Sequence, residues 1–118
     1  MFALAPGTTA VYLCVGATDM RKGFDGLMRL AAEQAARDVL QGGLFVFVNR
    51  RRDRVKLLWW DDDGLAIWYK RLEAGTFELP SVNDDASHVV LSAADLGLLL
   101  GGIELASVRR RKRYRRTA

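Results

Sequence analysis

The sequence is poor in the residues that most chemistry needs. Its 118 residues include one cysteine, one histidine and two prolines. The lone Cys14 excludes an intramolecular disulfide, and no Cys/His spacing suits zinc. No serine or cysteine carries a nucleophile motif, and His88 has no partners that would complete a triad. Asp61, Asp62 and Asp63 form a run without the alternating ladder of a calcium loop. Clustered turn aspartates also do not spread into a two-metal nuclease site. The expectation is a protein that is not an enzyme and that needs no metal and no cofactor.

Long hydrophobic runs are missing too. Nothing approaches the ~18 consecutive apolar residues of a membrane helix. The apolar start MFALAPGTTAVYLCVGA lacks a basic leader and is broken early by Pro6 and Gly7, so it does not read as a signal peptide. A single thiol fits a reducing cytosol, which makes the cytoplasm the expected location and a membrane an unexpected partner.

What is present is apolar bulk and unevenly placed positive charge. Half of the residues are hydrophobic, enough for a core without staples. The net charge is +4, but Arg109, Arg110, Arg111, Lys112, Arg113, Arg115 and Arg116 supply seven bases in eight positions. Residues 1–108 hold the other eleven bases against all fourteen acids, a net charge of −3. The length and these composition shifts predict one domain over 1–108 and a basic tail over 109–118, disordered when free.

Val11–Val15 (VYLCV) is rich in β-formers and bounded by Gly16, and reads as a buried strand. Thr18 or Asp19 then offers a helix N-cap. Phe24, Leu27, Met28, Ala31 and Ala35 recur at helical spacing and predict one apolar face, with Gly42–Gly43 ending the element. Gly23 and Gly26 each cost up to ~1 kcal/mol in a helix, so either something packs closely there or the helix starts later. LFVFV at Leu44–Val48 and VKLLWW at Val55–Trp60 read as two strands of a hairpin lying between layers. Of the adjacent Trp59 and Trp60, one must face away from the side the other faces.

The spacing of Leu65, Trp68, Tyr69 and Leu72 predicts a helix ending at Gly75. A third hairpin strand is the competing reading, because IWY favours β. TFEL at Thr76–Leu79 suggests a short strand, and HVVL at His88–Leu91 another. Ser92-Ala93-Ala94-Asp95 matches a capping box, with Leu96, Leu99 and Leu100 as the inner face of a helix. The expected fold class is α+β: a small, mostly antiparallel sheet with a central β-hairpin and about three helices.

The densest charge in the body is Arg50, Arg51, Arg52 and Arg54, interrupted only by Asp53. A solvated hairpin tip that blocks edge aggregation would explain one or two of them. Four repel one another, and guanidinium forks suit phosphate oxygens and guanine edges. With Lys56, this cluster is the candidate nucleic-acid site, and the seven tail bases are a second.

Three stretches in order carry a resemblance: TDMRKGFDGL at Thr18–Leu27, LFVFVNRRRDRVKLLWWD at Leu44–Asp61, and YKRLE-x-G-x-F at Tyr69–Phe77. Together they resemble the TnpB accessory family of the IS-sixty-six type of bacterial insertion sequence, over roughly Val11 to Ile103. The ending LxxLLxGIE at Leu96–Glu104 is consistent with it. The resemblance implies an assistant in transposition rather than the catalytic subunit. The expected partners are DNA, element ends among the candidates, from the basic clusters, and the transposase and the second accessory protein of the same element from the resemblance. It carries over no catalytic residue. Only motif membership transfers, to Asp19, Met20, Arg21, Lys22, Arg50, Arg52, Asp53, Arg54, Lys56, Lys70 and Arg71. Two readings stay open: a DNA-binding accessory module, or a protein-interaction module that docks the transposase or the other accessory protein without reading DNA.

Overall fold

The computed structural model describes residues 10–101. The basic tail at Arg109–Arg116, with its expected disorder, lies outside the described residues. So do residues 1–9 of the apolar start and the end of the LxxLLxGIE motif, Gly102 to Glu104. The chain runs β1 (Val11–Cys14), α1 (Phe24–Ala35), a 3-10 turn (Val39–Gln41), β2 (Leu44–Val48), β3 (Arg54–Asp61), β4 (Gly64–Arg71), β5 (His88–Leu91) and α2 (Ala93–Leu100).

The strands form one five-stranded sheet in the order β4-β3-β2-β1-β5. β1 and β2 pair in parallel across the α1 crossover, and the other neighbours are antiparallel. The class is therefore α+β and mostly antiparallel, as the pattern predicts. β2 is the middle strand, and all five of its residues are buried. This is why LFVFV shows no polar alternation: a strand covered on both faces needs none. Phe45 and Phe47 point to the α1 side, against Leu27, Ala31, Leu58 and Cys14. Leu44, Val46 and Val48 point the other way, against Phe77, Leu96 and Leu99.

Four expectations need correction. The segment after Asp63 is a strand, not a helix. β4 pairs with β3 residue by residue, from Asp61 opposite Gly64 to Arg54 opposite Arg71. Asp62, at φ 53, makes the tight turn, and Leu65 and Ile67 pack on one side of the sheet while Trp68 packs on the other. The helical spacing of Leu65, Trp68, Tyr69 and Leu72 was a coincidence of a strand with two apolar faces. Gly75 does take a positive φ of 75, but in the loop after β4. Second, TFEL forms no strand; Phe77 instead plugs the lower core at 1% exposure. Third, α1 starts at Phe24 with Gly23 as an N-cap that has no side-chain bond, so neither Thr18 nor Asp19 caps it. Fourth, α1 ends at Ala35, with Ala36 left-handed at φ 52, well before the glycine pair. The described residues thus hold two α-helices and one 3-10 turn rather than three helices.

The second helix follows its sequence signal. Ser92 Oγ accepts from Asp95 N at 3.0 Å, and Leu96 and Leu99 are buried. Trp59 packs on the core while Trp60 is 40% exposed, so the adjacent pair does divide between faces. Cys14 is 1% exposed, and burial pushes its thiol up to about 12. Below pH 9 the thiol is neutral folded or unfolded. Between pH 9 and about 12 only the unfolded chain ionises it, so this group makes stability fall as pH rises through that window. The thiol is accordingly expected to resist iodoacetamide in the native protein and to react fully in denaturant. Rapid native labelling, followed by mass spectrometry, would contradict the buried placement.

Candidate nucleic-acid interface

The fold brings two of the three sequence motifs together by topology. β1 and β2 are parallel, so the chain leaves both at the same end of the sheet. The turn after β1 carries Thr18–Lys22, and the loop after β2 carries Asn49–Arg54. Crevices outside the carboxyl ends of parallel strands are common ligand positions in α/β sheets. Here Thr18 N donates to Val48 O at 2.9 Å and ties the two segments directly.

Asn49 organises the arginine loop from inside. Its Oδ1 accepts from Asp53 N at 3.1 Å and from Arg54 N at 3.0 Å, and its Nδ2 donates to Asp53 Oδ1 at 2.7 Å. Arg52 takes the left-handed region at φ 61, and its N–H returns to Asn49 O at 3.0 Å. The segment after β4 anchors the loop from below: Leu72 N donates to Asp53 O and Phe77 N to Arg52 O, each at 2.7 Å. With the backbone bonded inward, the side chains of Arg50, Arg51 and Arg52 are left exposed. Neither Arg50 nor Arg51 makes an ion pair among the described residues. The Asn49 amide, helped by Arg54 and Arg51, holds the Asp53 carboxyl below its usual range.

The opposite wall is the Thr18–Gly23 turn. Asp19 and Arg21 form a forked pair there, with Arg21 Nη2 2.7 Å from Asp19 Oδ2 and Nε within 3.1 Å of both oxygens. Hydrogen bonds from Arg21 hold the Asp19 carboxyl at about 2. The pair is on the surface, so it orders the turn more than it stabilises the protein. Its contribution is present above the ordinary carboxylate range and is lost as pH falls through about 2. A carboxyl-carbon NMR titration is expected to show Asp19 titrating well below the ordinary carboxylate range, and Arg21→Ala is expected to return it there. An unshifted midpoint in the unsubstituted protein would mean that the fork does not persist in solution.

Beneath the turn lies Lys56, at 9% exposure the one buried charged residue among those described. Its Nζ donates to Met20 O at 2.7 Å and to Lys22 O at 2.8 Å, and sits 4.8 Å from the centre of the Tyr69 ring. Arg54 Nη1 reaches the Tyr69 hydroxyl at 3.4 Å. The result is a concavity of about 450 Å³, open to solvent. Thr18 to Arg21 line one wall, Asn49, Arg50, Arg51, Asp53 and Arg54 the other, and Tyr69 closes the end. Four guanidiniums face two carboxylates, one of them already paired.

The placement sorts the sequence-level candidates. Arg50, Arg51 and Arg54 line the concavity with Asp19, Arg21 and Asp53. Arg52 is on the same loop but outside the lining, and Lys22 is exposed beside the turn. Lys56 points inward, and its ammonium is engaged by two carbonyls. Lys70 lies elsewhere, donating to Leu100 O at 3.2 Å, and Arg71 pairs with Glu73 at 3.2 Å. The tail bases lie outside the described residues. Asn49 and Tyr69 were missed as site residues. An asparagine at a strand end ahead of an Arg/Asp loop is a recognisable turn signal. Nothing local marks Tyr69 beyond its place in the third motif.

A family model described as IS66 Orf2 like protein matches residues 9–110. Two curated relatives, both uncharacterized proteins of Sinorhizobium fredii, cover most of the chain. The protein y4jC is 36% identical over 93 residues, spanning 79% of this chain and 78% of its own. The protein y4hO is 38% identical over 94 residues, spanning 80% of each. No solved structure matches the chain.

Proposed function

The chain belongs to the family of IS66 Orf2-like proteins, and from that premise we propose that it is a non-catalytic accessory factor for transposition of a bacterial insertion sequence that contacts DNA through the Arg50–Arg54 loop. The observation that carries this reading is the loop's construction. Every backbone bond that shapes it is made inward, to Asn49, Leu72 and Phe77, and Arg50 and Arg51 are presented outward on a fixed frame. Presenting unpaired guanidiniums costs mutual repulsion, which phosphate oxygens would relieve. The tail is a second proposed contact. Five of its seven bases lie beyond the family match, which ends at residue 110, so the loop is the better candidate for a property common to the family.

The reading is tested by fluorescence anisotropy of the full chain with a labelled element-end duplex and a scrambled one, across a range of salt. Binding is expected to weaken linearly on a log–log plot as salt rises. Tighter binding of the element end would add sequence readout. Salt-independent binding would remove the arginine–phosphate contact, and no binding to either duplex would remove DNA from the account.

A second reading is supported by exposed apolar side chains. Trp60 at 40% and Phe24 at 48% offer contact area on the α1 side of the sheet, suited to docking the transposase or the second accessory protein. Co-purification with each element protein tests it, and loss of the complex in Trp60→Ala is the expected sign.

A further inference from the structure

The concavity contains more than a phosphate-tracking surface needs. A duplex backbone offers anions, and Asp19 and Asp53 would repel them. Tyr69, 48% exposed, adds an aromatic wall that a backbone does not use. A nucleotide base uses both. Its amino and ring N–H groups donate to carboxylates, and its face stacks on an aromatic ring whatever its sequence. The Asp53 carboxylate takes one hydrogen bond from Asn49, so it keeps acceptor capacity for a second donor. Lys56 below the ring and Arg54 at its hydroxyl fix the orientation of Tyr69. The volume, about 450 Å³, falls within the ~300–1,000 Å³ of small-ligand sites.

We propose that this concavity is a site for one unpaired nucleotide of DNA, its base stacked on Tyr69 with its amino edge toward Asp53 and its flanking phosphates on Arg50 and Arg51. The proposal rests on the DNA-binding reading and narrows it. Bases inside a duplex are stacked on both faces and cannot reach Tyr69 without being extruded, whereas bulged, frayed or overhanging bases can. The site therefore takes distorted or single-stranded positions in preference to an intact helix.

The test is competition of three DNAs of equal length for the full chain: a blunt duplex, the same duplex with one bulged 2-aminopurine, and the single strand. 2-Aminopurine emission reports stacking on the tyrosine ring. The unsubstituted protein is expected to favour the bulged duplex by about tenfold and to quench its emission. Tyr69→Phe is expected to keep the preference. Tyr69→Ile, which retains a strand-forming side chain at a half-exposed edge position, is expected to lose it, read as the ratio of bulged to blunt affinity falling to about one whatever the blunt affinity becomes. Equal affinity for blunt and bulged duplexes overturns the nucleotide site and leaves backbone binding standing. A preference that survives Tyr69→Ile overturns the stacking role and with it the proposal. Failure to bind any of the three DNAs removes both.

Discussion

Lys56→Met is expected to lower stability by about 2 kcal/mol and to weaken DNA binding along with it. The substitution keeps the length and apolar stem of the side chain but leaves Met20 O and Lys22 O without their donor. A buried carbonyl stripped of its partner costs ~1–3 kcal/mol. Lys22 is exposed, so water can reach its carbonyl, which places the total toward the low end. At ~4–8 °C per kcal/mol for a domain of this size, the melting temperature falls by about 10 °C. Binding suffers for a different reason. Lys56 holds the Thr18–Gly23 turn against β3, and that turn is one wall of the concavity. Thermal melts and anisotropy on the same sample separate the two roles that a lysine in an arginine-rich strand could have. A variant that melts normally but no longer binds would make Lys56 a direct ligand of DNA, as its place in the charge cluster suggests. A variant that melts early and binds poorly, with binding rescued on cooling, matches the buried geometry.

Lys56 also shows what the sequence could and could not convey. Read in line, it is one more base after Arg54. Only the register of β3, which alternates Lys56 with the core residues Val55 and Leu57, turns it under the Thr18–Gly23 turn and against Tyr69. Elements with a single dominant signal were legible: LFVFV as a doubly buried strand, the Ser92 cap, the hairpin around the arginines. β4 was not, because a strand with Leu65 and Ile67 on one face and Trp68 on the other spaces its apolar residues as a helix does. The two-aspartate turn at Asp62–Asp63 was the signal that outweighed the spacing: it is too short to lead anywhere but back along β3. The site was half legible. Its arginines stand out by composition, and Asp19 and Arg21 through their motif. The concavity itself depends on the parallel pairing of β1 and β2, which joins residues some thirty positions apart, and no local pattern announces that pairing.

Replacing Arg50, Arg51 and Arg54 together with glutamine is expected to flatten the salt dependence of DNA binding by about 3 in the slope of log K against log salt, since each phosphate contact contributes ~0.9. At 0.1 M salt the same relation makes the loss of affinity about two to three decades, uniform across DNA sequences if the contacts are all to phosphate. Glutamine keeps a hydrogen-bond donor on a shorter, uncharged side chain, and removing three neighbouring guanidiniums relieves repulsion, so the melting temperature is expected to hold or rise slightly. The loop's backbone frame does not use these side chains, and of the three only Arg54 reaches a neighbour, the Tyr69 hydroxyl at 3.4 Å: Asn49 binds the backbone of Asp53 and Arg54, and the backbone of Arg52 binds Phe77. The matching experiment neutralises the seven tail bases, whose full engagement would account for a slope of about −6. If the loop variant keeps the parent's slope and the tail variant abolishes binding, the loop arginines have another use, and an acidic surface on a partner protein becomes their natural complement. If the loop variant loses its share of the slope while the tail variant retains a preference for bulged over blunt duplex, charge and shape separate cleanly. The tail then supplies attraction that any polyanion would share, and the concavity between Thr18 and Tyr69 supplies the part that distinguishes one DNA structure from another.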